Sequence, residues 1–289
     1  MAERFERRLS SGITLVGDVG GDRHAPTVIL MHGGGQTRHS WSGAMDALLR
    51  AGYRVINYDS RGHGESGWAE DGDYRLSTRA ADLGELLRAM VPQHVSLALV
   101  GASLGGATAM WALTEGLRPA AVVLVDIVPR PDPRGVARIR AFMSGNPDGF
   151  ASLEEVADAI AAYNPHRPRP KDLSGLEKNL RRRPDGRYQW HWDPRILARD
   201  AAEELAEFET TVEGLKHVRD VPILLVRGLA SDVVNAEGVA ELRAAIPDLE
   251  IYDVGGAGHM VAGDRNDAFN QGVLEFLARR VPVRTAEER

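Results

Sequence analysis

The stretch Val95-Ser96-Leu97-Ala98-Leu99-Val100-Gly101-Ala102-Ser103-Leu104-Gly105-Gly106 decides the fold. Its first half is a nearly unbroken apolar run, as expected of a strand buried on both faces, and a helical pattern from Leu104 to Thr114 follows at once. Only small residues occupy the junction. A serine at so sharp a strand-to-helix turn needs them, because the backbone is strained and neighbouring chain passes close by. Gly101, Gly105 and Gly106 supply that room.

Similar short apolar runs lie on either side: Thr27 to Met31, Arg54 to Tyr58, Ala120 to Val125, Val221 to Arg227 and Leu249 to Val254. Helical periodicity separates them near Trp41 to Arg50, Ser77 to Met90, Ala236 to Ala245 and Asp267 to Arg279. The alternation predicts an α/β fold with a mostly parallel, doubly covered sheet. Phe5 to Leu9 and Ile13 to Val19 flank the turn residues Ser10-Ser11-Gly12, so an antiparallel hairpin is expected at one edge. One connection is far too long for a crossover, which needs only about a dozen residues. Residues 126–220 carry nine of the 15 prolines, together with amphipathic stretches at Leu153 to Ala162 and Ile196 to Phe208. They predict an inserted helical lid over 128–215, with 1–127 and 216–289 forming the core domain.

The composition fits a globular chain of 289 residues, with 43% hydrophobic and 26% charged residues. A net charge of -6 argues against nucleic acid as a partner and leaves a small neutral or apolar molecule as the expected ligand. The absence of cysteine excludes disulfides and thiolate chemistry. Without an apolar leader or a membrane-length run, a cytoplasmic location is the default expectation, and the polar end at Arg284 to Arg289 is expected to fray.

Ser103 is the expected nucleophile, the plain alternative being a serine that caps a helix. His32-Gly33-Gly34-Gly35 follows the first parallel strand, and a glycine run lets a backbone amide approach a developing oxyanion. Gly34 is the expected donor there, with the Leu104 amide at the helix start as its partner, while His32 holds the loop. The loop contains neither phosphate-binding glycine pattern. A serine hydroxyl needs a base. Of nine histidines, His259 is selected because Gly255-Gly256-Ala257-Gly258 presents it at the carboxyl edge of the sheet, where ligands of open α/β sheets bind. His24, His94, His166 and His217 lie in polar surroundings, and His63 reads as a loop-ordering residue. Two aspartates end strands on the correct edge. Asp232 is preferred as the acid because it gives the chain order Ser, Asp, His; Asp126 is its competitor, otherwise a hinge residue at the lid entrance. No metal-ligand spacing is present.

Taken together, HGGG at 32–35, YDSRGHGESG at 58–67, GASLGG at 101–106, GLASD at 228–232 and GAGHM at 256–260 resemble the α/β-hydrolase superfamily over nearly the whole chain. The similarity is to its lidded branch of esterases, lactonases, carbon–carbon bond hydrolases and cofactor-free haloperoxidases. It implies Ser103, His259 and Asp232 as a triad, and Gly34 and Leu104 as oxyanion amides. It also implies acyl transfer from a small ester or lactone without a cofactor. Epoxide hydrolases and haloalkane dehalogenases of this type carry an aspartate where this chain has Ser103. A haloperoxidase or perhydrolase using the same triad, a C–C bond hydrolase and a small-molecule receptor that retains the triad are the competing readings. His39, Trp41, Trp190, His191 and Trp192 are candidate pocket residues, with core packing as the alternative for the aromatics. The arginines at 167–169 and 181–183 read as solvated, or as partners for a substrate carboxylate.

Overall fold

The computed structural model describes residues 2–165, 169, 171–259 and 266–283, with only the backbone described at Ala201 and Asn266. His166, Arg167, the prolines at 168 and 170, and the expected frayed end at 284–289 lie outside the described residues.

Eight strands form the main sheet: β1 (Glu3–Arg8), β2 (Thr14–Gly20), β3 (Thr27–Met31), β4 (Arg54–Tyr58), β5 (Leu97–Ala102), β6 (Ala121–Val125), β9 (Ile223–Gly228) and β10 (Glu250–Val254). Their order is β1-β2-β4-β3-β5-β6-β9-β10. β1 and β2 form the antiparallel hairpin at the edge, β2 is antiparallel to β4, and every later pairing is parallel. β5 starts two residues later than its apolar run, because Val95 is held in a turn by the carbonyl of Pro92, and it continues through Gly101-Ala102 to the edge.

Both faces are covered, which is why the strands lack polar alternation. Val28 and Leu30 of β3 pack with Met45 and Leu48 of α1 (Ser42–Arg50) and with Phe269, Phe276 and Leu277 of α8 (Asn266–Arg280). Ile29 and Met31 face the other way, toward α2 (Leu76–Met90), α3 (Leu104–Thr114) and α7 (Ala236–Ala245). None of the helices among the described residues is long and apolar enough to cross a membrane.

Between β6 and β9 the chain forms α4 (Pro133–Ser144), α5 (Leu153–Tyr163), a small antiparallel hairpin of β7 (Leu180–Arg182) and β8 (Tyr188–Trp190), and α6 (Ala201–Leu215). The hairpin is an element that the expectation of a helical lid did not include. It supplies Tyr188 and Trp190 to a separate apolar cluster with Met143, Phe150, Val156 and Trp192. The apolar stretch 196–208 does not run as one helix either: a 3-10 turn ends at Ala198, and Asp200 caps a new helix by accepting from the amides of Ala202 and Glu203. That helix, α6, packs on α3 and α7.

Candidate active site

Ser103 sits at the turn between β5 and α3 with φ 45° and ψ −112°, a left-handed conformation that costs energy for a residue with a side chain. Close packing holds it there. A Cβ on Gly105 would lie 2.3 Å from the carbonyl oxygen of Met31, and one on Gly101 would lie 2.5 Å from the Gly105 backbone. The amide of Ser103 is tied to the carbonyl of Val125 at 3.1 Å.

His259 ends the 255–259 loop, which is seated on the end of β9. The amide of Ala230 donates to the carbonyl of Ala257 at 2.9 Å, and a Cβ on Gly228 would lie 2.5 Å from the carbonyl oxygen of Gly258. His259 Nδ1 lies 2.8 Å from Oδ2 of Asp126. With the proton on Nδ1, the basic lone pair is at Nε2.

The carboxylate beside His259 is therefore that of Asp126, and the expectation that Asp232 occupies this position is corrected. Asp126 follows the last residue of β6 at φ 48° and is fully buried. Its remaining acceptor capacity is filled by the amide of Gly228 at 2.9 Å, on Oδ1, and by the hydroxyl of Ser231 at 2.5 Å, on Oδ2. Asp232 is turned outward, 39% exposed, and pairs with Arg138 of α4 at 2.9 Å. The turn that closes Ser231 onto Gly228 carries the next residue away from the sheet edge. Ser231 was legible only as part of the GLASD motif. Asp126 had a clearer signal, as the single charged residue closing the run Ala121 to Val125.

The glycine loop after β3 is fixed one peptide unit at a time. The amide of Gly33 donates to Oε1 of Gln36 at 3.0 Å, and the carbonyl of Gly33 accepts from His32 Nδ1 at 2.8 Å. The amide of Gly35 donates to His63 Nε2 at 3.2 Å. Among the described residues no bond is formed by the Gly34 amide between them. The Leu104 amide lies in the first turn of α3, where N–H groups have no partner within a helix.

Three histidines surround this loop, His32, His63 and His191, with ring centroids 5.0 Å apart for the first pair and 5.8 Å for the second. Each accepts a backbone N–H: His32 Nε2 from Ser60, His63 Nε2 from Gly35, and His191 Nδ1 from Gly64. A protonated imidazole has no lone pair for such a bond, so all three are neutral. Burial acts in the same direction, depressing His32, holding His63 well below its ordinary value and pushing His191 down to about 3. The loop carrying His63 wraps Asp59, whose carboxylate accepts from the Arg38 guanidinium at 2.6 Å and from the amide of Glu65 at 3.0 Å.

Ser103, His259, Gly34 and Leu104 line one cavity of about 470 Å³. Ile139, Phe142 and Met143 of α4, Tyr163 of α5, and Trp190 and Trp192 form apolar wall, so both of these expected pocket tryptophans reach it. Trp41 does not. It is 1% exposed and packs 5.7 Å from Phe269 beneath α8. His39 lines a separate surface groove with Glu177 and Lys178, and burial beside Arg38 lowers its pKa. Of the arginines, Arg181 lies over the Trp68 ring and donates to the carbonyls of Gly64 and Ser66, and is not a free solvated charge. The arginines on the cavity wall, Arg140 and Arg199, are paired with Glu204 and Glu207.

Comparison with known proteins gives this geometry a family. The chain is 33% identical over 267 residues to esterase Rv0045c of Mycobacterium tuberculosis, covering 87% of this chain and 83% of that one. It is 28% identical to the mouse (Mus musculus) sn-1-specific diacylglycerol lipase ABHD11, over 89% of this chain and 83% of that one. The crystal structure of the mycobacterial esterase superposes with a TM-score of 0.73 at 29% identity, over 96% of this chain and 91% of that one. An E-2-(acetamidomethylene)succinate hydrolase shares the fold with a TM-score of 0.78 at 23% identity, over 95% and 99% of the two chains. Residues 28–271 match the profile of the alpha/beta hydrolase family, and the chain belongs to that family.

Proposed function

We propose that the protein is a serine esterase acting through an acyl-enzyme, with Ser103 as nucleophile, His259 as base and Asp126 as the acid that orients it. The observation that carries this reading is the 2.8 Å bond from His259 Nδ1 to the buried carboxylate of Asp126, at the wall of the same cavity that Ser103 enters from its strained turn. Ser103 Oγ attacks the ester carbonyl carbon while its proton passes to His259 Nε2. The resulting oxyanion is held by the amides of Gly34 and Leu104. His259 returns the proton to the departing alcohol, then takes one from water, whose oxygen attacks the acyl carbon, and passes it to Ser103 Oγ as the acyl–serine bond breaks and the carboxylic acid leaves. The similarity to a mycobacterial esterase over 87% of the chain supports the reaction class.

The cavity favours an uncharged substrate with an apolar acyl or alcohol group, since its wall is largely aromatic and aliphatic and its arginines already have carboxylate partners. The segment 128–215 serves as a lid that completes this wall through α4, α5 and the β7–β8 hairpin. In the test, Ser103→Ala lowers turnover of p-nitrophenyl butyrate by at least about 10⁴-fold and abolishes labelling by a fluorophosphonate, with the melting temperature retained. Undiminished labelling of that variant would refute the assignment.

A further inference from the structure

His191 belongs to the inserted segment and is 1% exposed, yet neither of its ring nitrogens faces the reacting groups. Nδ1 accepts the amide of Gly64 at 2.7 Å, and Nε2 donates to the carbonyl of Gly35 at 3.4 Å. The carbonyl of Gly33 is fixed by His32 and the amide of Gly35 by His63, so His191 secures the next peptide in the same loop. Its neighbours tie the insertion to the core loop at 62–66. Arg181 grips the carbonyls of Gly64 and Ser66, the amide of Asp193 donates to the carbonyl of Gly62 at 2.9 Å, and Trp192 forms cavity wall and donates to the carbonyl of Met143 at 3.2 Å. Met143 lies against Gly35, 3.3 Å from where a Cβ would stand.

We propose that His191 is a positioning residue of the oxyanion loop: it pins the Gly35 carbonyl, the far end of the loop in which His32 fixes the peptide carrying the Gly34 N–H. This rests on the esterase reading above. A loop of three glycines has little stiffness of its own, and an oxyanion donor is useful only if it is already aimed when charge develops. The insertion thereby steadies the loop that carries the catalytic amide as well as walling the cavity.

The two nitrogens can be separated in the full-length protein. Asparagine at 191 offers an acceptor near the Nδ1 position but no donor for Gly35, and glutamine offers a donor near Nε2 but no acceptor for Gly64. His191→Asn is expected to lower kcat on p-nitrophenyl butyrate about tenfold with KM within about twofold, and to weaken binding of a trifluoromethyl ketone, which forms an oxyanion at the serine, by the same factor. His191→Gln is expected to stay within about threefold of the parent on both measures. Equal losses in the two variants, or a loss confined to KM or to melting temperature, overturn the proposal. Should the asparagine variant fail to fold, a tenfold loss of kcat in a folded glutamine variant does the same. Amide hydrogen exchange at Gly34 and Gly35, measured in the Ser103→Ala background, is expected to quicken with His191→Asn, and unchanged exchange there sinks the brace while leaving the esterase reading intact. Turnover that does not depend on Ser103 sinks the esterase reading instead.

Discussion

β6 and β9 lie side by side, and each is followed by an aspartate at the same edge of the sheet, yet the two carboxylates have opposite surroundings. Asp126 comes immediately after its strand, in a left-handed turn, fully buried, with three donors on its two oxygens. Asp232 comes four residues after Gly228, beyond a turn, 39% exposed and paired with an arginine of α4. A carboxylate that must hold an imidazole in one tautomer needs a fixed position and little competition from water, which strengthens the bond it makes. Asp126 has both properties. Asp232 has neither, and its partner is a flexible arginine that is itself half exposed. Chain order, which both aspartates satisfy, is a weaker guide than the distance of the carboxylate from the end of its strand.

The largest effect that would break this contrast is at Asp126. Asp126→Asn preserves shape and keeps an acceptor for Gly228, but its amide can present an N–H to His259 Nδ1 and favour the wrong tautomer. The expected result is a fall in kcat of about 10⁴-fold on p-nitrophenyl butyrate with KM little changed. A fall below tenfold would remove Asp126 from the triad. Ser231→Ala is a smaller test of the same environment. It removes the hydroxyl bond to Asp126 and leaves the amides of Val233 and Val234 without the oxygen that accepts from them at 3.1 and 3.2 Å. About a tenfold loss of kcat and about 1–2 kcal/mol of stability are expected, read from steady-state kinetics and urea unfolding. Full activity in Ser231→Ala would show that Asp126 needs no help from the Ser231 hydroxyl.

Much of this was legible in the residues. The strands of the core were, because a run such as Val28 to Met31 is buried on alternate faces by two different helix layers and so is apolar throughout. The turn at Ser103 was, because strain and the close approach of Gly101 and Gly105 restrict it to small residues whose pattern is local. The acid was not. Asp126 and Asp232 differ in how a three-residue turn rotates a side chain, and that depends on Ser231, Arg138 and the seating of the 255–259 loop, which are distant in sequence. The aromatics divide for the same reason. Trp41 and Trp192 both follow a histidine or a serine in polar-looking stretches, but one falls beneath α8 and the other on the cavity wall. The small hairpin at 180–190 was hidden by its length, since three residues per strand leave no period to read.

Asp232 offers the sharpest small-effect test, because its motif and its geometry disagree about it. In the folded protein its carboxylate meets Arg138 at 2.9 Å, with both side chains more than a third exposed. Pairs of this kind contribute about 0–1 kcal/mol and weaken as salt rises. Asp232→Asn is therefore expected to leave kcat within about threefold of the parent, and to shift stability by less than about 1 kcal/mol. A double-mutant cycle with Arg138→Ala should return a coupling of similar size that shrinks in 1 M salt. The pair joins α4 to the loop after β9, so any activity change should fall on KM, through the wall that α4 contributes. A thousandfold loss of kcat in Asp232→Asn would reverse the assignment of the two aspartates, and would require the 231–233 turn to rearrange when substrate binds.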